Sequence, residues 1–434
     1  MKERKPANHK AIALHQTLID DLKDKGLIQS PAVEAAFRAV LRHHFLPGSP
    51  LEEVYSDRAI SAKQDDEGKW ISSSSQPAIM AIMLEQLDLQ PGHKVLEIGT
   101  GPGYNAALMA HIVGETGRVV TVEIDQDLAD AAQKHLRTAG FDRVRVVCAD
   151  GGYGYPDEAP YDRIILTVGS HDITPAWWEQ MKPDGRLVLP LVLRGSMKSI
   201  AFERAGDHLS SLSENNCGFI QLRGDFASPF QGRIELGPEP GLRLEALETL
   251  PMAGDTVYSL LSAETRDWPA GVEVTAWDVL QGGLWTWLSL REPRIGRLAA
   301  EGDLAGRDLV PAMIRIDGHN LAATAALLGD KGLAALTRPP DQPIPTVTMD
   351  KLYAPDSPAS RPFPLFVRQF GPDETPARQL LELVQAWKAA GTPAGRLHIR
   401  AYRRDADYTP AAGEIVLEKQ WTKLKLIIRE PQSS

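Results

Sequence analysis

The chain has 434 residues, more than a single hydrophobic core accommodates, so two or three domains are expected. It is 43% hydrophobic and 24% charged, an ordinary globular balance, and a net charge of -10 with no basic stripe argues against a nucleic-acid partner. Two cysteines, Cys148 and Cys217, make neither a disulfide framework nor a metal cluster, so no metal is expected. No apolar h-region follows Met1–Lys10 and no apolar run is long enough to span a bilayer, so the expectation is a cytoplasmic protein without membrane attachment.

In chain order, the segment from His9 to Lys25 carries Ile12, Leu14, Leu18, Ile19 and Leu22 at helical spacing, and Gly26 ends it. Ser30-Pro31 opens a second helix, with serine as cap and proline at the first position. Leu51 to Ile60 reads as irregular and Lys63 to Lys69 as a polar loop. Four serines, Ser72 to Ser75, then precede Gln76-Pro77 and an apolar helix to Leu87. They place hydroxyls and a helix N-terminus together, an environment that suits a carboxylate.

Lys94-Val-Leu-Glu-Ile-Gly-Thr-Gly-Pro-Gly-Tyr104 reads as a buried strand, a glycine turn and a helix. Gly99, Gly101 and Gly103 permit a tight turn and close approach of backbone to a ligand. Their G-x-G-x-G spacing, opened by Glu97, differs from the dinucleotide fingerprint and is the pattern of S-adenosylmethionine (SAM) methyltransferases. A second strand, Gly117 to Asp125, ends in Glu123 and Asp125, and an acid there is placed to accept from ribose hydroxyls. Glu123 is preferred because it directly follows the apolar run; either acid also suits a helix cap. A third strand ends at Asp150-Gly151, where the acid faces an adenine amino group or simply caps a turn. A fourth strand, Tyr161 to Val168, leads to Gly169-Ser-His-Asp172, in which His171 either faces substrate or is merely exposed. Arg186 to Pro190 is a fifth strand, with two more expected at Ser199 to Glu203 and Gly218 to Leu222. Alternating strands and helices give an α/β fold with a doubly wound sheet.

Beyond residue 240 the pattern changes. Val272 to Trp277 and Leu284 to Leu290 alternate like strands, proline-rich connectors run over Pro339–Pro345 and Pro355–Pro364, and Thr375-Pro376 caps a helix. Strands near Leu397–Tyr402 and Ile415–Ile428 close the chain. Three segments are therefore expected: an N-terminal helical segment with a substrate loop over residues 1–75, a SAM-binding domain over 76–235, and an α+β accessory domain over 240–434 for substrate recognition or dimerisation.

Several pieces together resemble protein-L-isoaspartate O-methyltransferases. Val40-Leu-Arg-His-His-Phe-Leu-Pro47, Tyr55-Ser-Asp57 with Ile60, Ser74-Ser75-Gln76-Pro77, Glu97 to Tyr104 and Asp150-Gly151 follow the order of that family's motifs across residues 10–225. The departures are serines in place of threonine-isoleucine before the substrate serine, Phe219-Ile-Gln-Leu222 for the last strand, and the extra domain. This long form is similar to a subgroup that acts on ribosomally made, modified peptides such as lanthipeptides and graspetides. The resemblance implies SAM as cofactor, held by Glu97, Gly99, Gly101, Gly103, Tyr104, Glu123, Asp150 and Gly151. It implies Ser75 as the group orienting a substrate carboxylate, with Ser73 and Ser74 as weaker candidates because the register of four serines is open; Gln76 and, from its place after the fourth strand, His171 are further candidate substrate contacts.

The expected reaction is methylation of an aspartate side chain in a cyclised ribosomal peptide, the ester then closing to an aspartimide and opening to isoaspartate. The alternatives are repair of isoaspartate in proteins, a small-molecule methyltransferase, and a non-catalytic peptide-binding module. The partner is a peptide or protein, with monomer and homodimer both open. A carboxylate is already ionised at neutral pH, which accounts for the lack of a visible base.

Overall fold

The computed structural model describes residues 4–228, 232–246, 252–280, 282–313, 315–316, 321–347, 357–394 and 396–428. The first two residues of the expected connector Pro355–Pro364 and the expected N-terminal residues 1–3 lie outside them. Two compact units are present: one of residues 1–192, 197–228 and 398–425, the other of 193–196, 229–397 and 426–434.

In the first unit, helices α1 (Arg4–Asp24) and α2 (Pro31–Ala39) form where the apolar spacing demands, and Ser30 Oγ accepts the Val33 amide as the α2 cap. After a single turn, α3 (Leu51–Val54), comes a hairpin of β1 (Ile60–Gln64) and β2 (Trp70–Ser74). The segment expected as a loop over Lys63–Lys69 is therefore mostly its turn. Residues of this stretch alternate between faces, so a polar sequence still pairs as strands. Helix α4 (Pro77–Leu87) follows, then β3 (Lys94–Ile98), α5 (Tyr104–Val113), β4 (Arg118–Glu123), α6 (Gln126–Thr138), β5 (Arg145–Cys148), β6 (Tyr161–Leu166), α7 (Pro175–Gln180), β7 (Met181–Leu193), β8 (Ser196–Ala205) and β9 (His208–Asn216).

β3 lies between β4 and β6, and the β5, β4, β3, β6, β7 neighbours are parallel. The chain winds one way from β3 to β5 and the other way from β6 to β7. That reversal opens a crevice at the carboxyl end of β3. Val95, Ile165 and Val188 from the sheet share one hydrophobic cluster with Phe37, Phe45, Met83, Leu84 and Leu108. The N-terminal helices are thus packed into the same core as α4 and α5. The strand expected at Gly218–Leu222 is reduced to an isolated bridge, Gly169 to Gln221, and β9 takes its place in the sheet.

The last strands correct the expected boundary at residue 240. Leu397–Arg403 pairs antiparallel with β9, and Thr422–Ile428 and Ile415–Glu418 extend the same ten-stranded sheet. An alternating sequence fixes that these residues are strands but not which sheet edge receives them.

In the second unit, seven strands run antiparallel in the order 233–235, 242–246, 295–301, 321–328, 333–337, 363–370, 265–274. One face carries Leu284, Trp285, Leu380 and Trp387, the other Leu244, Leu261 and Leu298. Leu284–Leu290, expected as a strand, lies in a helix, Gly283–Arg291. Every residue from Gly283 to Leu290 is buried, so the helix has no polar face to betray its period.

Among the described residues, no helix is long and apolar enough to cross a membrane.

Candidate functional site

The site is built where β3 ends. Gly99, Gly101 and Gly103 have φ of 99°, 51° and 95°, all in the region that L side chains avoid. A Cβ on Gly99 would strike Thr167 and Val168, and a Cβ on Gly101 would stand 3.1 Å from the Ser73 carbonyl. The glycine turn is thus pressed between the end of β6 and the serine strand β2. Two stretches far apart in sequence, the glycine turn and the serine strand, therefore meet in space.

Glu123 ends β4 beneath this turn. Its Oε2 accepts the Gly101 amide at 3.0 Å and its Oε1 the Ile124 amide at 3.0 Å. It is 6% exposed, and burial raises its pKa against the pull of those amides. Asp125 instead pairs with Arg223 at 2.6 Å, with Lys63 of the hairpin at 3.8 Å. Of the two acids, Glu123 is the one bonded to the glycine turn and Asp125 the one held in ion pairs.

Glu97 is placed differently from the expected ligand contact. It is fully buried, with Asn105 Nδ2 donating to Oε1 at 2.7 Å and Thr121 Oγ1 to Oε2 at 2.6 Å; Thr121 in turn meets Thr100 at 2.8 Å. Its carboxyl therefore ties β3, β4, α5 and the glycine turn together from within the core. Burial pushes its pKa up to about 7. Tyr104 is likewise a core residue, 3% exposed, its ring packed on Phe37 and Phe45. An aromatic directly after a glycine turn looks the same in sequence whether it covers a ligand or a helix interface.

Asp150 accepts the Gly152 amide at 2.8 Å and the Asp225 amide at 2.7 Å, so the capping alternative is realised, while the side chain stays partly exposed beside Gly151. A Cβ on Gly151 would collide with Ile98 of β3, so glycine is required for close packing of that turn. His171 is partly buried next to Lys419, and burial with that positive neighbour lowers its pKa to about 4.

The serines divide. Ser74 is 3% exposed and its hydroxyl accepts from Arg42 at 3.3 Å, which takes it out of contact with any substrate. Ser73 and Ser75 are partly exposed, and among the described residues no hydrogen bond engages either hydroxyl. Gln76 donates to Asp57 at 3.1 Å, and the other Asp57 oxygen accepts the Ala78 amide, capping α4.

Arg42 is the residue that motif reading passed over as only part of a pattern. It is fully buried and donates to the carbonyls of Val54, Ser56, Arg58, Ser74 and Ser75 as well as to Ser74 Oγ. One guanidinium thus fixes the chain on both sides of the hairpin and sets where Ser75 stands. A lone arginine between the apolar residues Val40-Leu41 and Phe45-Leu46 was the available signal.

A strand-end crevice with positive-φ glycines, an acid bonded beneath them and a serine strand laid across them fits the amino-acid and ribose portions of SAM. The sequence family described as Protein-L-isoaspartate(D-aspartate) O-methyltransferase (PCMT) matches residues 13–226. A protein-L-isoaspartate O-methyltransferase of Methanopyrus kandleri is 40% identical over 212 residues, 48% of this chain and 91% of that protein. Its namesake in Methanothermobacter thermautotrophicus is also 40% identical over 212 residues, 48% of this chain and 94% of that one. A solved structure described as a protein-L-isoaspartate O-methyltransferase aligns over 89% of this chain and 96% of its own at 25% identity, with a TM-score of 0.47. The chain therefore belongs to the protein-L-isoaspartate O-methyltransferase family of SAM-dependent carboxyl methyltransferases.

Proposed function

We propose that this protein methylates the free carboxylate of isoaspartyl residues in peptides or proteins, the step that commits them to return to aspartate through a cyclic imide. The observation that carries this reading is the contact of the serine strand with the glycine turn, Ser73 against Gly101, in a chain whose relatives bear that activity in their names. On this reading Ser75-Gln76-Pro77, next along the chain, serves the substrate side of the site.

SAM supplies a methyl group already activated by its sulfonium. Gly99, Gly101, Gly103 and Glu123 hold the cofactor, with Asp150 and Gly151 at its adenine. Ser75 and Ser73 donate hydrogen bonds that orient the carboxylate, and Arg42 holds their strand in place. No residue has to remove a proton, because the carboxylate is ionised at neutral pH. Positioning and exclusion of water therefore carry the rate, and well-oriented reactants gain about 7–11 kcal/mol from that source in favourable cases. His171 stays neutral and is free to donate or accept one hydrogen bond at the substrate side.

This order reverses the sequence reading, which put a normal aspartate in a cyclised ribosomal peptide first. That preference rested on the extra domain and the altered serines. Apart from residues 193–196, the second unit lies outside the stretch 13–226 that carries the family match, which supports a part in choosing the peptide rather than in the reaction. It remains the observation that favours the narrower reading. The purified chain is to be given SAM and three substrates: an isoaspartyl hexapeptide, its aspartyl counterpart, and a cyclised aspartyl peptide. A mass gain of one methylene on the first alone supports repair. Methylation of the cyclic aspartyl peptide alone would replace it with the biosynthetic reading.

A further inference from the structure

Residues far beyond the family match hold the loop that follows β6 and the Phe226 segment that packs on Gly152. The turn between the strands Ile415–Glu418 and Thr422–Ile428 belongs to the first unit. There the Trp421 amide donates to Asp172 at 2.6 Å, and the Thr422 hydroxyl donates to the other Asp172 oxygen. Asp172 is 3% exposed and also accepts the Ile173 amide at 2.8 Å, so its carboxylate is fully supplied and the Gly169–Asp172 loop is held from the C-terminal side. Lys419 of the same turn donates to the Val192 carbonyl at 3.1 Å and is the positive neighbour of His171.

The second arm runs through rings. Trp421 lies 5.1 Å from Phe226, and Phe226 meets Tyr153 edge-on at 4.8 Å. Phe226 also covers Gly152 so closely that a Cβ there would run into its ring. Gly152 donates to Asp150, and Asp225, beside Phe226, donates to the other Asp150 oxygen. Trp421 thus backs the segment that sets the Asp150 carboxylate.

We propose that Trp421 is a positioning residue for cofactor binding: through Phe226 and Asp225 it fixes Asp150 and Gly151, while its amide and Thr422 fix the loop bearing His171. The proposal rests on the assignment of Asp150 to the adenine end of the site. A C-terminal strand pair that merely widened the sheet would need neither the buried carboxylate contact nor an aromatic aimed at Phe226. It makes the last part of the chain a component of the methyltransferase site that residues 13–226 do not contain.

The test uses the full-length chain and its Trp421→Ala, Trp421→Leu and Trp421→Phe variants. Calorimetry gives affinity for S-adenosylhomocysteine, and steady-state assay gives KM for SAM and kcat on the isoaspartyl hexapeptide. Removing a positioning contact of this kind is expected to weaken S-adenosylhomocysteine binding and raise KM for SAM by roughly tenfold in the Ala and Leu variants. The kcat at saturating SAM stays near wild type, and Trp421→Phe restores affinity. Leucine keeps apolar bulk, so it gives a reading if alanine fails to fold. Wild-type affinity in the folded Ala or Leu variant, or a loss of stability without loss of affinity, overturns the proposal. An Asp150→Asn variant measured alongside separates the two levels: wild-type affinity there overturns the site assignment itself, whereas weakened binding there with unaltered Trp421 variants overturns only the positioning role.

Discussion

Glu97 shows how one residue type can be read correctly and assigned the wrong task. Its position at the end of an apolar strand before glycines is plain in the sequence, but its carboxyl is consumed by Asn105 and Thr121 inside the core. With a folded pKa of about 7 against an ordinary 4.5, the native state holds the proton more tightly than the unfolded chain. Its contribution to stability is thus fully present below pH 4.5 and lost as pH rises through 7, by on the order of 3 kcal/mol. Glutamine does not ionise; its oxygen accepts from Asn105, and its amide donates to Thr121 once that hydroxyl turns to Thr100. Urea unfolding is expected to give equal stability for wild type and Glu97→Gln at about pH 4 and a more stable variant at about pH 8; equal stability at the higher pH would contradict a buried carboxylate. His171 shifts the other way, to about 4. A charge on it costs folding energy, so its contribution is present above the ordinary His value and lost as pH falls from there through 4. Its NMR titration midpoint is expected below pH 5, and activity between pH 6 and 8 carries no inflection from it.

At the scale of elements, the hairpin β1–β2 and the glycine turn are coupled through Arg42 and Ser73. Sequence motifs located Ser75, Gln76 and the three glycines, because turn chemistry and a proline at a helix start are local properties. They preferred Ser75 but left the register of the four serines open, since adjacent residues of an extended chain point to opposite faces and only the partner decides which face is buried. Arg42→Ala leaves several buried carbonyls without a donor, each worth about 1–3 kcal/mol. A marked fall in urea midpoint is expected, with Arg42→Lys recovering part of it and still showing a raised KM for the isoaspartyl peptide because fewer donors hold Ser75. Gly101→Ala puts a side chain at φ of 51°, a cost of roughly 1–2 kcal/mol, and against the Ser73 carbonyl. Its expected effect is weaker S-adenosylhomocysteine binding by calorimetry, with the fold intact by circular dichroism. The helix Gly283–Arg291 was illegible for the opposite reason: burial on all sides erases the pattern from which a helix is recognised.

At the scale of the whole molecule, the ten-stranded sheet is completed by residues from the far end of the chain. Ile399, Ala401, Leu417 and Leu424 are buried there, and the Ile399 amide donates to Ser211 of β9 at 2.8 Å. A fragment of residues 1–228 spans the family match yet leaves β9 as an open edge and Phe226 without Trp421. It is expected to be aggregation-prone and to melt well below the full chain in calorimetry, whereas co-expression with a segment containing residues 397–428 should recover soluble material. A soluble, cooperatively melting fragment 1–228 would show that the added strands are dispensable. By itself the sequence determined the doubly wound α/β core, the glycine turn and the acid-ended strands, because each is written in short-range periodicity and spacing; SAM chemistry followed from the resemblance of those motifs to a known family. Only the tertiary structure decided that Glu97 and Tyr104 face the core, that Arg42 governs the serine strand, and that residues 397–425 return to the first sheet. Strand pairing between distant segments and the choice of buried face depend on partners that no local window contains.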